Sequence, residues 1–355
     1  MKKNFLITTG GSGGHVIPAE ILSDHLNDKF NISISTDLRG RKYLKIRSNE
    51  IIIINTPRLN FNLLIIFKLI KLIYLTITSC FFLKKNKISK VFSTGGYMSI
   101  PICISAKFLG LDLYLLEPNF VLGKSNKLFL KFCNKIFCYS ENLKNFPKKF
   151  KNKIIIISPL VRKKFYEKKL IEHQNQKFCL LVVGGSQGAK IFENIIPKVI
   201  VNLSTKHNIK IIQQTRTKNI DRLRKIYDST GIENIIFDFD ENFVNLVNQS
   251  DFCITRGGAS SLAEMSLMNK PFLAIPLNSA KDNHQFENAN FYKNQNCCWI
   301  MNQENFDIDK LEHFLNSILT DKTDYMIKKD NMNKLNFKNS WNNVNQKLLE
   351  SINEN

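Results

Sequence analysis

The chain has 355 residues, 43% of them hydrophobic, which gives room for two domains of common size and excludes an intrinsically disordered protein. Its 51 Lys and Arg against 30 Asp and Glu leave a formal charge of +21, a balance that suits anionic substrates, an anionic membrane surface or nucleic acid. No nucleic-acid module is present, so no nucleic acid is expected as a partner; part of the excess is compositional, since the chain is rich in Lys, Asn and Ile and poor in Ala.

The chain opens with Met1-Lys2-Lys3 and a strand-length apolar run, too short for the core of a signal peptide. Short β-branched runs then alternate with helical patterns, which predicts parallel sheets with helices on both faces. In the first half the predicted strands are Phe5–Thr8, Ile32–Thr36, Ile51–Ile54, Val91–Thr94, Leu113–Leu116, Ile136–Tyr139 and Ile154–Ile157. A break follows at Ser158–Lys164. In the second half they are Cys179–Val183, Lys210–Gln213, Ile235–Asp238, Phe252–Thr255, Phe272–Ile275 and Cys298–Met301, with a helix at Ser340–Ile352. The eight cysteines are scattered and form no Cys-x-x-Cys pair, as expected of reduced core residues in a cytosolic protein.

One segment departs from this alternation. Phe61–Leu83 is almost wholly Leu, Ile and Phe, with Lys68 and Lys71 inside it and Lys84, Lys85 and Lys87 behind it. It is long enough to span a bilayer, but two lysines at depth would cost about 2.5–3.5 kcal/mol each. Three readings stand: a core helix packed on the sheet; a helix with one face inward and an apolar outer face with a basic fringe, lying in a membrane interface, which is preferred; and, least favoured, a true span.

Four clusters carry chemistry. Gly10-Gly11-Ser12-Gly13-Gly14-His15 follows the first strand, and Gly184-Gly185-Ser186-Gln187-Gly188 follows the first strand of the second half. Such turns let a ligand approach the main chain, and the helix behind them points unsatisfied amides at it. Two in register suggest two nucleotide-fold domains facing one cleft. Val16 stands where a dinucleotide fingerprint needs its third glycine, and no Lys-Ser/Thr follows either turn, so neither an NAD fold nor a P-loop is supported. The third cluster is Thr255-Arg256-Gly257-Gly258-Ala259-Ser260-Ser261-Leu262-Ala263-Glu264. It presents amides and hydroxyls to an anion, with Glu264 one turn on, where a carboxylate accepts from a ribose diol; the alternative is a capped helix with a solvent-facing Glu. The fourth is Lys281–Ala289, whose amide side chains suit sugar hydroxyls. His15 is the histidine of a glycine turn, and imidazole titrates near neutral pH, which makes it a candidate base; helix capping or diphosphate binding is its alternative role.

Taken together, GGSGGH, STGGY at Ser93–Tyr97, GGSQGA at Gly184–Ala189, RGGASSLAE at Arg256–Glu264 and KDNHQFENA at Lys281–Ala289 resemble the MurG family, the UDP-N-acetylglucosamine transferases of peptidoglycan synthesis. The resemblance implies a GT-B fold of two Rossmann-like domains: residues 1–158 facing acceptor and membrane, residues 159–338 binding UDP-GlcNAc, and residues 339–355 a helix packing back on the first. It implies an inverting transfer of GlcNAc to the 4-hydroxyl of the muramoyl sugar of lipid I, peripherally at the cytoplasmic face of the inner membrane, beside an anionic leaflet and other cell-wall synthesis proteins. No cofactor is implied. No metal is expected, on the reading that no Asp-x-Asp pair closes a strand and that helix starts and Arg256 stabilise the leaving UDP.

The resemblance also distributes the site. It puts UDP on Ser186, on Ala259, Ser260, Ser261, Leu262 and Ala263, and on Glu264 at the ribose. It puts uracil at the backbone of Asp240 and the GlcNAc hydroxyls on Gln285. Asn119, Arg162, Ser12, Gly13 and Gly14 match donor-contacting positions, while Gly11, Gly13, Gly14, Gly95, Gly96 and Tyr97 cradle the acceptor diphosphate. The chain departs from the family at Leu116-Glu117-Pro118-Asn119, at Ser158-Pro159-Leu160-Val161-Arg162, at Gln213-Gln214-Thr215-Arg216 and at His284. The alternatives are another UDP-sugar enzyme on this fold, such as an epimerase or a lipid glycosyltransferase, and a nucleotide-sugar-binding scaffold of a cell-wall complex without turnover.

Overall fold

The computed structural model describes residues 2–44, 51–57, 65–169, 177–185 and 189–353, and the chain falls into two compact units. One comprises Met1–Lys163 with Ser340–Asn355, the other Lys164–Asn339. All thirteen expected strands are present, with ends within three residues of the expected ones.

The first unit holds a sheet of β1 (Lys3–Thr8), β2 (Phe30–Thr36), β3 (Ile51–Ile53), β4 (Ile88–Ser93), β5 (Asp112–Glu117), β6 (Lys135–Cys138) and β7 (Ile154–Ile156). The order is β3-β2-β1-β4-β5-β6-β7, and every pair is parallel. A parallel sheet is buried on both faces, which is why its inner strands read as unbroken apolar runs such as Phe5-Leu6-Ile7. The strand order reverses between β1 and β4, so the crevice of a doubly wound sheet opens beyond the ends of these two strands. The C-terminal helix Trp341–Asn353 packs on this unit. Lys90, buried and paired with Asp112 at 2.7 Å, donates to Ile352 O at 3.2 Å, and Tyr114 OH donates to the same oxygen at 3.1 Å. The Trp341 ring stacks on buried His25 at 3.5 Å.

The second unit holds β8 (Phe178–Val183), β9 (Ile209–Gln214), β10 (Glu233–Phe237), β11 (Phe252–Thr255), β12 (Phe272–Ala274) and β13 (Cys298–Ile300). Their order is β10-β9-β8-β11-β12-β13, again wholly parallel. Its switch point lies between β8 and β11. Leu180, Val182, Phe192, Ile196, Tyr227 and Ile254 lie at the centre of its core.

The apolar segment forms the helix Ile65–Lys85; residues 61–64 of the expected stretch lie outside the described residues. It packs on the helix Ile100–Phe108, where Ser105 Oγ donates to Thr76 O at 2.8 Å. Only Ser79 and Leu83 are buried on it. Ile66, Phe67, Ile70, Ile73, Tyr74, Ile77 and Phe81 are each 50–70% exposed, so this is not a core helix. Lys71, Lys84 and Lys85 are exposed, whereas Lys68 is only half-exposed and so is not part of the outer fringe expected of it.

Candidate active site

In the first unit, Gly10–Gly14 leads from β1 into the helix Gly13–Leu26, and Thr94-Gly95-Gly96 leads from β4 into the turn Tyr97–Ser99. Because β1 and β4 are the neighbours at the switch point, the two glycine turns lie against each other. A Cβ on Gly96 would stand 3.1 Å from Gly10 O, and Gly11, Gly95 and Gly96 take φ of +91°, +88° and +80°, where a side chain would be strained. Ser12 precedes the helix as N-cap, but its hydroxyl makes no capping bond; its carbonyl accepts from His15 N and Val16 N at 3.1 and 3.2 Å. The helix therefore starts on the amides of Gly13 and Gly14, the ready-made anion site of a helix N-terminus.

Thr94 fixes His15. Its Oγ1 donates to His15 O at 3.0 Å and lies 2.7 Å from Thr9 Oγ1, and its carbonyl lies 2.9 Å from His15 Nδ1. A carbonyl can only accept, so Nδ1 carries the proton and Nε2 is the lone-pair nitrogen of the neutral ring. That is the tautomer a general base at this turn needs.

Asp37, missed in the sequence, organises the other side of the turn. Its Oδ1 accepts from Gly11 N and Gly40 N, both at 2.9 Å, and its Oδ2 from Arg39 Nε at 2.9 Å. Burial pushes its carboxyl pKa up, but the two amides and Arg39 outweigh this and bring it below the usual range. Arg39 in turn donates through Nη2 to Tyr97 OH at 2.6 Å. Glu117, at the end of β5, is the second organiser. It is buried and accepts from Gly123 N at 2.8 Å, from Asn126 Nδ2 at 3.0 Å and from Asn119 Nδ2 at 3.2 Å. Burial raises its pKa to about 6 despite these donors. Asn119 is thus set by its neighbour, and the Asn126 amide lies against Gly95, its Nδ2 3.3 Å and its buried Oδ1 3.4 Å from where a Cβ would stand. Among the described residues that oxygen has no donor. Arg162 is half-buried, one residue before the end of the first unit's main segment.

In the second unit, β8 runs into Gly184-Gly185; Ser186, with Gln187 and Gly188, lies outside the described residues. Gln214, at the end of β9, accepts from Gly185 N at 3.2 Å and donates to Asp238 O at 3.0 Å, joining this turn to the loop that carries Asp240. Arg256-Gly257-Gly258 leads from β11 into the helix Ala259–Leu267. Gly258 as N-cap has no side chain to offer, so the amides of Ala259, Ser260 and Ser261 head the helix uncapped. Leu262, Ala263 and Glu264 are buried, and at 3% exposure Glu264 is no solvent-facing residue. Gly257 is obligatory: a Cβ there would stand 2.0 Å from Gln285 O. This close contact, with Asn288 Nδ2 donating to Gly257 O at 2.9 Å, brings the third and fourth clusters together. Gln285 Oε1 accepts from Leu277 N at 2.9 Å, so the end it can offer to a sugar is its NH2.

Two expectations need correction. Arg256 does not point its charge at a ligand. It is buried, donates to Ile275 O at 3.0 Å and Gln303 Oε1 at 2.7 Å, and lies over the Phe192 ring, so it braces the ends of β11 and β12. An Asp-x-Asp does close a strand: Asp238-Phe239-Asp240 follows β10. Its carboxylates serve the local loop, Asp238 accepting from Thr217 N at 3.1 Å and Asp240 from Asn242 N. Among the described residues no group of three His, Cys, Asp or Glu side chains is placed to hold a metal ion.

Residues 5–138 match the glycosyltransferase family 28 N-terminal domain and residues 179–344 the family 28 C-terminal domain. With two doubly wound sheets, each carrying its glycine turns at the switch point, the chain is a glycosyltransferase of the GT-B fold. A protein of Pelagibacter ubique named UDP-N-acetylglucosamine–N-acetylmuramyl-(pentapeptide) pyrophosphoryl-undecaprenol N-acetylglucosamine transferase is 48% identical over 356 residues, covering 100% of both chains. One of the same name from Rickettsia bellii is 33% identical over 318 residues, covering 87% of this chain and 88% of its own. The crystal structure of MurG from Acinetobacter baumannii superposes with a TM-score of 0.78 at 20% identity, covering 100% of both chains. The chain belongs to this transferase family, the MurG family.

Proposed function

We propose that the chain transfers GlcNAc from UDP-GlcNAc to the 4-hydroxyl of the N-acetylmuramoyl sugar of lipid I, with inversion, giving lipid II for peptidoglycan synthesis. The observation that carries this is the similarity over the whole length to a transferase so named. The geometry supports a division of labour. The second unit takes the donor: the diphosphate on the amides of Ala259–Ser261, the ribose diol on Glu264, the sugar on the Gln285 amide and uracil beside Asp240, with Ser186 completing the phosphate contacts. Backbone dipoles aimed at the leaving UDP stabilise the charge that develops there, without metal. The first unit takes the acceptor, its diphosphate on Gly11, Gly13, Gly14, Gly95, Gly96 and Tyr97. His15 Nε2 accepts the proton as the hydroxyl attacks the anomeric carbon, and UDP leaves from the opposite face. Asn119 and Arg162 are taken as further donor-contacting residues, on the family resemblance.

The exposed apolar face of Ile65–Lys85 supports peripheral binding at the cytoplasmic face of the inner membrane. Its apolar side chains enter the interface and Lys71, Lys84 and Lys85 meet anionic headgroups. The deciding experiment is radiolabelled GlcNAc transfer from UDP-GlcNAc to a lipid I analogue. Label in the lipid product is expected. Binding of UDP-GlcNAc without transfer would instead make the chain a scaffold, and conversion of UDP-GlcNAc without acceptor would make it an epimerase.

A further inference from the structure

We propose that Arg39 is a substrate-binding residue, the cationic contact for the acceptor's diphosphate at the first glycine turn. This rests on the reading that the turn, with Gly95-Gly96-Tyr97, takes that diphosphate.

A diphosphate brings more negative charge than a helix start, equivalent to about half a positive charge, can balance. The residue that supplies the rest must be charged, held near the turn and not spent on scaffold. Arg39 is charged and held near the turn, and although its Nε is paired with Asp37, the rest of its fork is only partly committed. Its Nη2 lies 3.9 Å from where a Cβ on Gly11 would stand, so a group bound over the Gly11 backbone is within its reach. Asp37 accepts one N–H, on Nε, and Tyr97 OH another, on Nη2. Of the five N–H groups of a guanidinium, the three others form no bond to the described residues, and the side chain is 47% exposed. The outer edge of the fork is what planar phosphate recognition uses.

The surroundings are arranged to aim the group. Asp37 is bonded to the Gly11 amide of the same turn, so turn and guanidinium are positioned by one carboxylate. Tyr97 fixes the other edge from the second glycine turn, 58 residues away in sequence. A hydroxyl that accepts from a cation is a stronger donor of its own proton. Arg256 shows the contrast: its guanidinium is buried under the fold and bonded inward, whereas that of Arg39 is braced from behind and open in front.

The test is steady-state transfer with the full chain, varying lipid I analogue and UDP-GlcNAc separately, for wild type, Arg39→Gln, Arg39→Lys and Gly11→Ala. Arg39→Gln should raise the acceptor KM ten- to a hundred-fold, with kcat and the donor KM within three-fold. Arg39→Lys should recover part of the loss, because the charge stays and the fork is gone. If Arg39→Gln misfolds, Arg39→Lys together with Tyr97→Phe carries the test, each raising the acceptor KM several-fold. An acceptor KM raised by Gly11→Ala but not by either Arg39 variant overturns the role of Arg39 and leaves the reading of the turn standing. No change in acceptor KM for any variant overturns both. A rise in donor KM alone overturns both as well and moves the donor to this turn. A lowered melting temperature and kcat with both KM values unchanged makes Arg39 a strut and overturns the proposal.

Discussion

The two units share one construction and differ in their surfaces. Each is a wholly parallel, doubly wound sheet with a glycine turn at its switch point. Yet the first unit has 28 Lys and Arg against 10 Asp and Glu, a net +18, while the second has 23 against 20, a net +3. A genome-wide drift toward lysine would charge both alike. The excess instead follows the unit that carries the exposed apolar helix Ile65–Lys85. The same fold thus carries two different surfaces, and the difference lies in what surrounds the sheet.

Four variants and one treatment can break or sharpen that comparison. The largest effect is expected from His15→Ala in the first unit, which should lower kcat by 10²-fold or more as the general base is lost. UDP-GlcNAc affinity, measured by calorimetry, should be unchanged. A near-normal kcat with a raised acceptor KM would move His15 from chemistry to binding. Next is the replacement of Lys71, Lys84 and Lys85 by Glu. Each basic residue near an anionic leaflet contributes about 1 kcal/mol, so cosedimentation with anionic vesicles should fall by a hundred-fold or more. Equal binding of the wild type to neutral and anionic vesicles would remove charge from the account.

In the second unit, Glu264→Gln should weaken UDP-GlcNAc binding by about 1.5–3 kcal/mol, the worth of a hydrogen bond to a charged group, and leave the acceptor KM alone. Unchanged affinity in a folded variant would refute the ribose contact. A smaller effect concerns stability in the first unit. His25 is buried on Trp341, and burial lowers its pKa to about 4, an effect that the nearby Asn345 amide offsets only in part. A depressed histidine contributes stability that is present above its unfolded pKa near 6.5 and is lost as pH falls toward 4. By pH 5.5 the loss is about 1 kcal/mol, and His25→Phe should flatten the fall of melting temperature between pH 7 and 5 by a few degrees. An identical slope in the variant would show that the imidazole carries none of it. Last, chelator should leave transfer within two-fold, since backbone amides meet the leaving diphosphate; a strict need for magnesium would point to the Asp238-Phe239-Asp240 loop.

The strands were legible because a sheet covered on both faces demands runs such as Ile154–Ile156 and Cys179–Val183, and the glycine turns because few other uses of that composition exist. The faces of Ile65–Lys85 were not legible. A helix apolar all round has no sequence mark for its inner side, and packing on Ile100–Phe108 decides it. Of the candidate site, the helix start at Ala259–Glu264 was readable because its residues are neighbours in the chain. The site was unreadable where partners are distant. Arg39 meets Tyr97 across 58 positions and Gly257 meets Gln285 across a helix, a strand and a loop, and neither pairing leaves a local pattern. Arg256 was misread because a glycine-flanked arginine looks alike whether it faces a ligand or the core.

The return of Trp341–Asn353 to the first unit has a consequence for biosynthesis. The second unit is one unbroken stretch, Lys164–Asn339, inserted into a unit made of two pieces. On the ribosome it has every residue it needs before the first unit does. The first unit waits for the final sixteen, which supply the carbonyl for Lys90 and the ring for His25. A chain cut short at Asn339 would keep both glycine turns and still leave the amino-terminal half without its last wall.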